Sequence, residues 1–519
     1  MKKVFFSLVA GLMISAQVFA VTPKEVCGQF HGNLDIMGEI VPDKDIYLLP
    51  GVEAGTLTFV LPHFGFLGLD LGNIVQPGIR VAEDGKLSVD STTMYMGEPL
   101  NLRVGISILD SYKDPEDAEA PTYNSTVSAE AGQVVLSIAV PDLGDIIVIF
   151  SGNKVSGNNY ALTNGGFEGA WTANEPQGWH SFGTASGIMA KIIKGNTEQF
   201  VSSTEVRPGS KGSQSALLSS KMVVGQKANG TCTNGRINGG SMDAADATGT
   251  PENGAGNYNY SDPDSTGFNT PFNGRPDSIV FWAKYLPADR DITNEANQAR
   301  VNAVITTNAR YQDPETTDEH AAARIGAATL NYSAVEGFGW QRLAIPFEYD
   351  EEKADSVPAY ILTTFTTNKA PAGGTSTKNV LDSLYLDDIE LVYNNQLSSF
   401  SIDDNVLSFD QKTATVDKEY CDSCVANYTA VADGVSAQTF IAFDNTNKLN
   451  YIYVVADDYA QSGKYNVYRV LFNDSDAPEP AAVENVTLRN TRIEKVMRNG
   501  QMLIRNGENW YDIYGRIVK

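Results

Sequence analysis

Apolar and polar residues alternate along most of this chain in short runs separated by Gly, Pro, Asn and Asp, a pattern that predicts strands joined by turns. In the stretch 383–393, Ser-Leu-Tyr-Leu-Asp-Asp-Ile-Glu-Leu-Val-Tyr, a period of two puts Tyr385, Asp387, Ile389, Leu391 and Tyr393 on one face. Leu386, Asp388, Glu390 and Val392 take the other. Asp387 is thereby expected to point into an apolar face, where a carboxylate needs a partner; the alternative is an edge strand with solvated acids. In 277–285, Ile279, Phe281, Ala283 and Tyr285 share a face, leaving Trp282 opposite with Ser278, Val280 and Lys284. The same parity makes Leu343, Ile345 and Phe347 core residues and turns Trp340 and Arg342 outward. In 299–307, Val301, Ala303 and Ile305 are core and Arg300 and Asn302 outward. If the three outward faces belong to one sheet, they form a polar surface bearing two tryptophans. Sugar rings stack on indole, and Arg and Asn bond hydroxyls. The competing expectation is that either Trp is core or packs under a loop.

The remaining runs extend the all-β reading to several domains. Runs at 55–61, 85–89, 100–108, 133–140 and 145–150 predict an antiparallel barrel or sandwich within 21–155. Strand-like runs at 277–285, 299–307, 339–347, 359–366 and 384–393, with one helical period at 317–330, predict a two-sheet jelly roll over 160–394. The Gly/Asn/Asp-rich stretch 228–275 is too long for an ordinary loop, and such loops are usually functional or disordered. Runs at 406–409, 440–443, 451–455 and 465–472 predict a small sandwich over 396–474. The segment 474–484, rich in Asp, Pro, Glu and Ala, reads as a linker, and Asn499-Gly500 and Asn506-Gly507 predict hairpin turns in a tail, 475–519.

Family resemblances attach to particular residues. The segment 55–64, Gly-Thr-Leu-Thr-Phe-Val-Leu-Pro-His-Phe, followed by Leu71-Gly-Asn-Ile74, resembles the calycin-like barrel domain of exported proteins of Bacteroides-type bacteria, which invites a ligand cavity. Asn164-Gly-Gly-Phe-Glu168, Gly178-Trp179, Gly274-Arg-Pro-Asp-Ser-Ile-Val-Phe-Trp-Ala-Lys-Tyr285, Gly339-Trp340, Ile345-Pro-Phe347 and Leu386-Asp-Asp-Ile-Glu-Leu391 resemble the family named "putative carbohydrate metabolism domain" of the same bacteria. The opening Gly-Phe-Glu and the closing Asp-Asp-Ile also resemble the paired calcium signature of jelly-roll carbohydrate-binding modules. That resemblance implies that Glu168 and Asp387 hold a structural calcium ion. The unit 396–474 resembles small cadherin-like or immunoglobulin-like sandwiches, and the tail resembles type IX sorting tails.

Composition narrows the function classes. With 63 acidic against 38 basic residues among 519 and a formal charge of −25, nucleic acid and anionic membrane are poor partners. Residues 1–20 begin Met-Lys-Lys, continue apolar and end Val-Phe-Ala, the pattern of a cleaved secretory signal, so the chain is expected to be exported, periplasmic, surface-bound or extracellular. No later run is long or apolar enough to span a bilayer. Four cysteines in so long a chain make no disulfide scaffold; Cys421-Asp-Ser-Cys424 suits a local disulfide, and pairing of Cys27 with Cys232 stays open. The four histidines show no helical metal spacing, and neither a Gly-x-Ser-x-Gly elbow nor a phosphate loop is present, so no catalytic residue is assigned. The resulting expectation is a secreted or cell-surface glycan-binding protein contributing to carbohydrate capture or metabolism, with the jelly roll as recognition module. A glycoside hydrolase using a carboxylate pair in the same domain and a structural or adhesive surface protein are the alternatives.

Overall fold

In the first 154 residues the β-branched and aromatic runs pair into one ten-stranded antiparallel sheet. Its order is Leu87–Ser88, Ile74–Val81, Thr56–Leu61, Glu39–Pro50, Gly28–Ile36, Gly144–Lys154, Ala131–Val140, Leu102–Ile108, Thr93–Gly97, with Thr126–Val127 on Ala131–Val140. A bridge from Lys86 to Thr126 draws the first edge toward the last strands, so the sheet nearly closes as a barrel. Phe30, Leu48, Phe59, Ile106, Leu136 and Phe150, all closed to solvent, fill its interior. This is a computed structural model; it describes residues 21–477 except 67, 91–92, 98–101, 158, 173–174, 191, 193–198, 224–225, 244–245, 249–254, 265–266, 370–380 and 422–426, together with 494–498, 501–506, 509–511 and 517–518. The signal-like residues 1–20 and Cys424 lie outside that set. Cys421 is disulfide-bonded, whereas Cys27 and Cys232 are free thiols and do not pair.

The next unit carries eight strands that we label β1 (Ser215–Ser219), β2 (Thr231–Thr233), β3 (Ser278–Leu286), β4 (Ala299–Thr306), β5 (Arg324–Tyr332), β6 (Gln341–Pro346), β7 (Tyr360–Thr366) and β8 (Ser383–Val392). They divide between two sheets, one in the order β1-β8-β3-β6 and the other in the order β2-β7-β4-β5, consecutive strands changing sheet except for the hairpin β4-β5. That order is the jelly roll. Short strands extend the edges, Phe200–Ser203 beside β1 and Glu348–Tyr349 beside β5. The core between the sheets is made by Leu218, Phe281, Tyr285, Val301, Ile305, Phe365, Leu386 and Trp179.

Two expectations are corrected here. The helical period 317–330 yields only the helix Asp318–Ala323, capped by Thr317, whose side chain accepts from the His320 N–H; from Arg324 the chain is β5. Pairing of Ile325 and Ala328 with the sandwich core overrides local helix propensity. The stretch 228–275 is not one loop, because it contains β2 and the strands Arg236–Gly239 and Asn257–Ser261. With Tyr311–Asp313 these two strands form a small three-stranded sheet. Asp313 on it receives two bonds from Arg300 of β4, and Tyr311 packs with Val304 and Leu362, so the small sheet covers the outside of β4 and β7.

The third set of strands pairs as Asn405–Val406, Leu397–Ile402, Tyr428–Ala432 and as Thr413–Val416, Tyr465–Phe472, Leu449–Val455, Gln438–Asp444, around Phe400, Ile452, Val454 and Val470. Its other face packs on the barrel, with Phe440, Tyr453 and Tyr459 against Tyr47, Leu49 and Val60. Asp277 ties it to the jelly roll by accepting from the Asn394 and Val435 N–H groups. The chain forms two compact units, one ending at Asn473 and one of residues Asp474–Lys519. The second holds a four-stranded antiparallel sheet, Glu494–Arg498, Gln501–Asn506, Asn509–Tyr511 and Ile517–Val518. The expected turn residues Asn499, Gly500 and Gly507 lie outside the described residues.

Candidate functional site

The Asp-Asp pair of β8 sits at a bulge. Asp388 takes a positive φ of 47°, and pairing with β3 jumps from Val280↔Glu390 to Trp282↔Asp387. The bulge inserts one residue, so the faces exchange across it: Leu384 and Leu386 point into the core before it, and Ile389 does after it. The expected common face of Tyr385, Asp387 and Ile389 is therefore corrected. Asp387 shares the outer face with Trp282 and Tyr385. It is nevertheless wholly buried, because the 205–214 loop lies over it: the Arg207 N–H donates to Asp387 Oδ2 at 3.0 Å. Among the described residues Asp387 Oδ1 has no hydrogen-bond partner. Burial, reinforced by the Asp388 charge and opposed by the Arg207 N–H, raises the Asp387 pKa above the ordinary carboxylate value.

Glu168 reaches the same loop from the other end of the jelly-roll chain. Its Oε1 accepts from the Ser213 and Gln214 N–H groups, both at 2.9 Å, and its Oε2 accepts from the Ser213 hydroxyl at 3.3 Å. The Asn164-Gly-Gly-Phe-Glu168 segment lies against the bulge, with the Ile389 N–H donating to Gly165 O at 2.9 Å. A Cβ on Gly165 would stand 2.1 Å from the Ile389 carbonyl oxygen, so only glycine allows this approach. A cation is compatible with the buried, unpartnered Asp387 Oδ1. Glu168 already spends its oxygens on loop donors, and among the described residues no three acid, histidine or cysteine groups gather as a metal cluster.

The outer face of β3 and β8 is aromatic and charged. Trp282 and Trp340 are partly exposed, and Arg342, paired with Trp282 across β3 and β6, is exposed. The Arg207 guanidinium lies 5.2 Å from the centre of the Trp282 ring and also bonds Asp388 Oδ2 through Nε at 2.5 Å. Lys284 sits 5.5 Å over the Tyr385 ring and is ion-paired with Glu205; Trp340 meets Tyr385 edge-on at 6.2 Å. Each such cation–ring contact contributes about 0.5–1 kcal/mol at an exposed site. Trp282, Trp340 and Arg342 therefore come together.

Arg300 and Asn302 do not join them. Both point away from the core as expected, but β4 belongs to the opposite sheet. Arg300 is held by a bidentate pair with Asp313 at 2.7 and 2.9 Å, and buried Asn302 accepts from the Thr329 hydroxyl. Alternation along a strand assigns a face, not a sheet. The residues missed were Arg207, Glu205, Lys284 and Tyr385. Lys284 already shared the parity of Trp282, whereas the bulge hid Tyr385 and only tertiary folding brings 205–207 over the strand.

No protein-family model matches the sequence, and no curated protein does. Among solved structures, the chain is similar to a "putative glycoside hydrolase" from Bacteroides thetaiotaomicron, at 13% identity and a TM-score of 0.30, over 56% of this chain and 97% of the other. It is also similar to the N-terminal CBM22-1-CBM22-2 tandem domain of Xyn10C from Paenibacillus barcinonensis, at 12% identity and a TM-score of 0.22, over 72% and 98%. At these scores neither likeness carries weight for what this chain does.

Proposed function

We propose that this is an exported glycan-binding protein whose recognition surface is the outer face of β3, β8 and β6. The observation that carries this reading is the clustering of Trp282, Tyr385 and Trp340 on one sheet face, with Arg207, Lys284 and Arg342 at its polar margin. Ring faces take the C–H side of a sugar, and the charged groups bond its hydroxyls. Of the carboxylates on this face, Asp388 is paired with Arg207, Glu205 is paired with Lys284, and Asp387 is wholly buried under the 205–214 loop, out of reach of a sugar on the outer surface, which favours binding over hydrolysis. A glycosidase acid needs a carboxyl free to deliver a proton. A structural calcium ion at the bulge would rest on Asp387 Oδ1, with Glu168 joining by releasing a donor of the 213–214 loop, and carbonyls and water would complete its oxygen shell. Affinity electrophoresis in gels containing soluble neutral polysaccharides tests the reading. Wild-type protein should be retarded by at least one of them and Trp282→Ala and Trp340→Ala less so, with unchanged melting curves. Equal retardation of all three proteins would place the site elsewhere.

A further inference from the structure

The barrel interior is filled by its own side chains, but a cleft of about 430 Å³ opens outside it, where the third sandwich meets the barrel. Thr56, Thr93 and Phe443, all buried, make its floor, while Glu53, Arg80 and Asp90 are exposed at its rim. Tyr451 is partly buried on one wall, with Asp444. A buried floor beneath an exposed rim is the shape of a small-ligand pocket, whose usual range is about 300–1,000 Å³.

The polar groups of this cleft are unevenly satisfied. Asp444 is held within its own turn, its oxygens accepting from the Asn447 N–H at 2.9 Å and the Asn447 side-chain amide at 2.8 Å. Asp90 Oδ2 takes two bonds from Arg80, at 2.7 and 3.1 Å, and Asp90 Oδ1 takes none among the described residues. The Glu53 carboxylate and the Tyr451 hydroxyl likewise make no hydrogen bond among the described residues. Burial raises the Tyr451 pKa, and the Asp444 and Glu53 charges add to the rise against Arg469, so both acids lie near that hydroxyl. On the floor, the Thr93 hydroxyl accepts from the buried Gln76 amide at 2.9 Å, which leaves its O–H to donate. The Thr56 hydroxyl donates to Glu53 O at 2.8 Å, which leaves its oxygen to accept.

Three carboxylates line the cleft with one guanidinium that is already spent on Asp90, so anions are repelled. An apolar ligand would strip water from the Glu53 carboxylate, the Tyr451 hydroxyl and the Thr93 O–H and give nothing back. A sugar hydroxyl both donates and accepts. Neighbouring hydroxyls can donate to Glu53 and Asp90 Oδ1 and accept from Thr93, while the C–H face of the ring lies on Tyr451. We propose that this cleft is a second sugar site, separate from the jelly-roll platform, that takes a neutral mono- or disaccharide or the end of a longer chain. The ligand class is read from the cleft's own groups, and no residue of the platform takes part.

The test is a saturation-transfer NMR titration of the full chain with lactose, maltose, cellobiose and xylobiose, comparing wild type with Glu53→Ala, Tyr451→Ala and Trp282→Ala. Glucose, glucuronate and glucosamine are compared on wild type. At least one neutral disaccharide should bind wild type, and Trp282→Ala should match it. Glu53→Ala should bind about tenfold more weakly, the loss of a charge-assisted hydrogen bond, and Tyr451→Ala at least as much. Glu53 is exposed, so its variant should melt with wild type and decide the question even if Tyr451→Ala, cut from the margin of the core, folds poorly. Glucuronate should bind more weakly than glucose, and glucosamine no more tightly. Failure of wild type to bind any of the disaccharides, undiminished binding by Glu53→Ala or by a folded Tyr451→Ala, an equal loss in Trp282→Ala, or a preference for glucuronate or glucosamine over glucose would each overturn the proposal. The platform is judged separately by neutral polysaccharides in gels, so either site can fail alone.

Discussion

Replacing Asp457 with Asn should make the protein more stable at neutral pH. Asp457 follows the strand Leu449–Val455 and meets the jelly roll, its Oδ2 accepting from the Arg275 N–H at 2.7 Å. Burial, with the charges of Asp458 and Asp277 acting the same way and Arg275 acting against them, pushes its pKa from 3.8 to about 6. The folded chain thus holds this proton more tightly than the unfolded chain does. Between pH 4 and 6 the native state carries more bound protons, so stability falls as pH rises through that window. At 1.36 kcal/mol per pKa unit, the roughly two-unit rise makes the ionised carboxylate cost up to about 3 kcal/mol at pH 7. Asn keeps an oxygen for the Arg275 N–H and cannot ionise. Thermal melts followed by circular dichroism across pH 4 to 7.5 should show the variant above wild type at pH 7, converging toward pH 4. Asp277 is also shifted upward, mainly by burial, so the difference between the two proteins at each pH isolates Asp457. A variant no more stable at pH 7, or a difference that does not change with pH, would refute the reasoning.

If calcium sits at the bulge, a chelator should lower the melting temperature of wild type and leave Asp387→Asn unmoved; a wild-type melt indifferent to chelator would remove the ion from this site. Without added cation at neutral pH, Asp387→Asn should melt above wild type, because it removes a carboxylate whose ionisation burial opposes. Tyr453→Phe deletes a hydroxyl bonded to Thr58 at 3.0 Å between the third sandwich and the barrel, and should cost about 1 kcal/mol in a urea titration. Phe281→Ala, at a fully buried core position, should cost about 3–5 kcal/mol by the same measurement.

Much of the all-β architecture was legible because alternation survives wherever a strand pairs without interruption. In β3, Ile279, Phe281, Ala283 and Tyr285 are all buried, and Trp282 faces out as the pattern requires. In β8 the same rule fails, since Asp388 enters the left-handed region and shifts every later residue by one. Two adjacent acids in a β run were the available sign of a break, as Asp tolerates positive φ better than most residues. Assigning Arg300 and Asn302 to the tryptophan face failed for a different reason: sheet membership is decided by which strands pair, and in a jelly roll consecutive strands such as β3 and β4 lie in opposite sheets. The small sheet holding Tyr258 and Tyr260 was hidden in Gly- and Asn-rich sequence, because its central strand Asn257–Ser261 pairs on one side with a strand distant in sequence, Tyr311–Asp313.

The bulge also links the two halves of the candidate site. Arg207 donates its backbone N–H to Asp387, its Nε–H to Asp388 and the face of its guanidinium to Trp282. The loop carrying it is fastened farther along by Glu168, through Ser213 and Gln214. The carboxylates that would bind a cation are thus the ones that position the cationic margin of the aromatic platform. Arg207 already covers Trp282, so a sugar stacking on that indole must share the ring or displace the guanidinium, and displacement would loosen the bond to Asp388. A cation bound at Asp387 would therefore be coupled to occupancy of the ring through one side chain: by neutralising Asp387 and Asp388 it would weaken their hold on Arg207 and free it to follow the ligand.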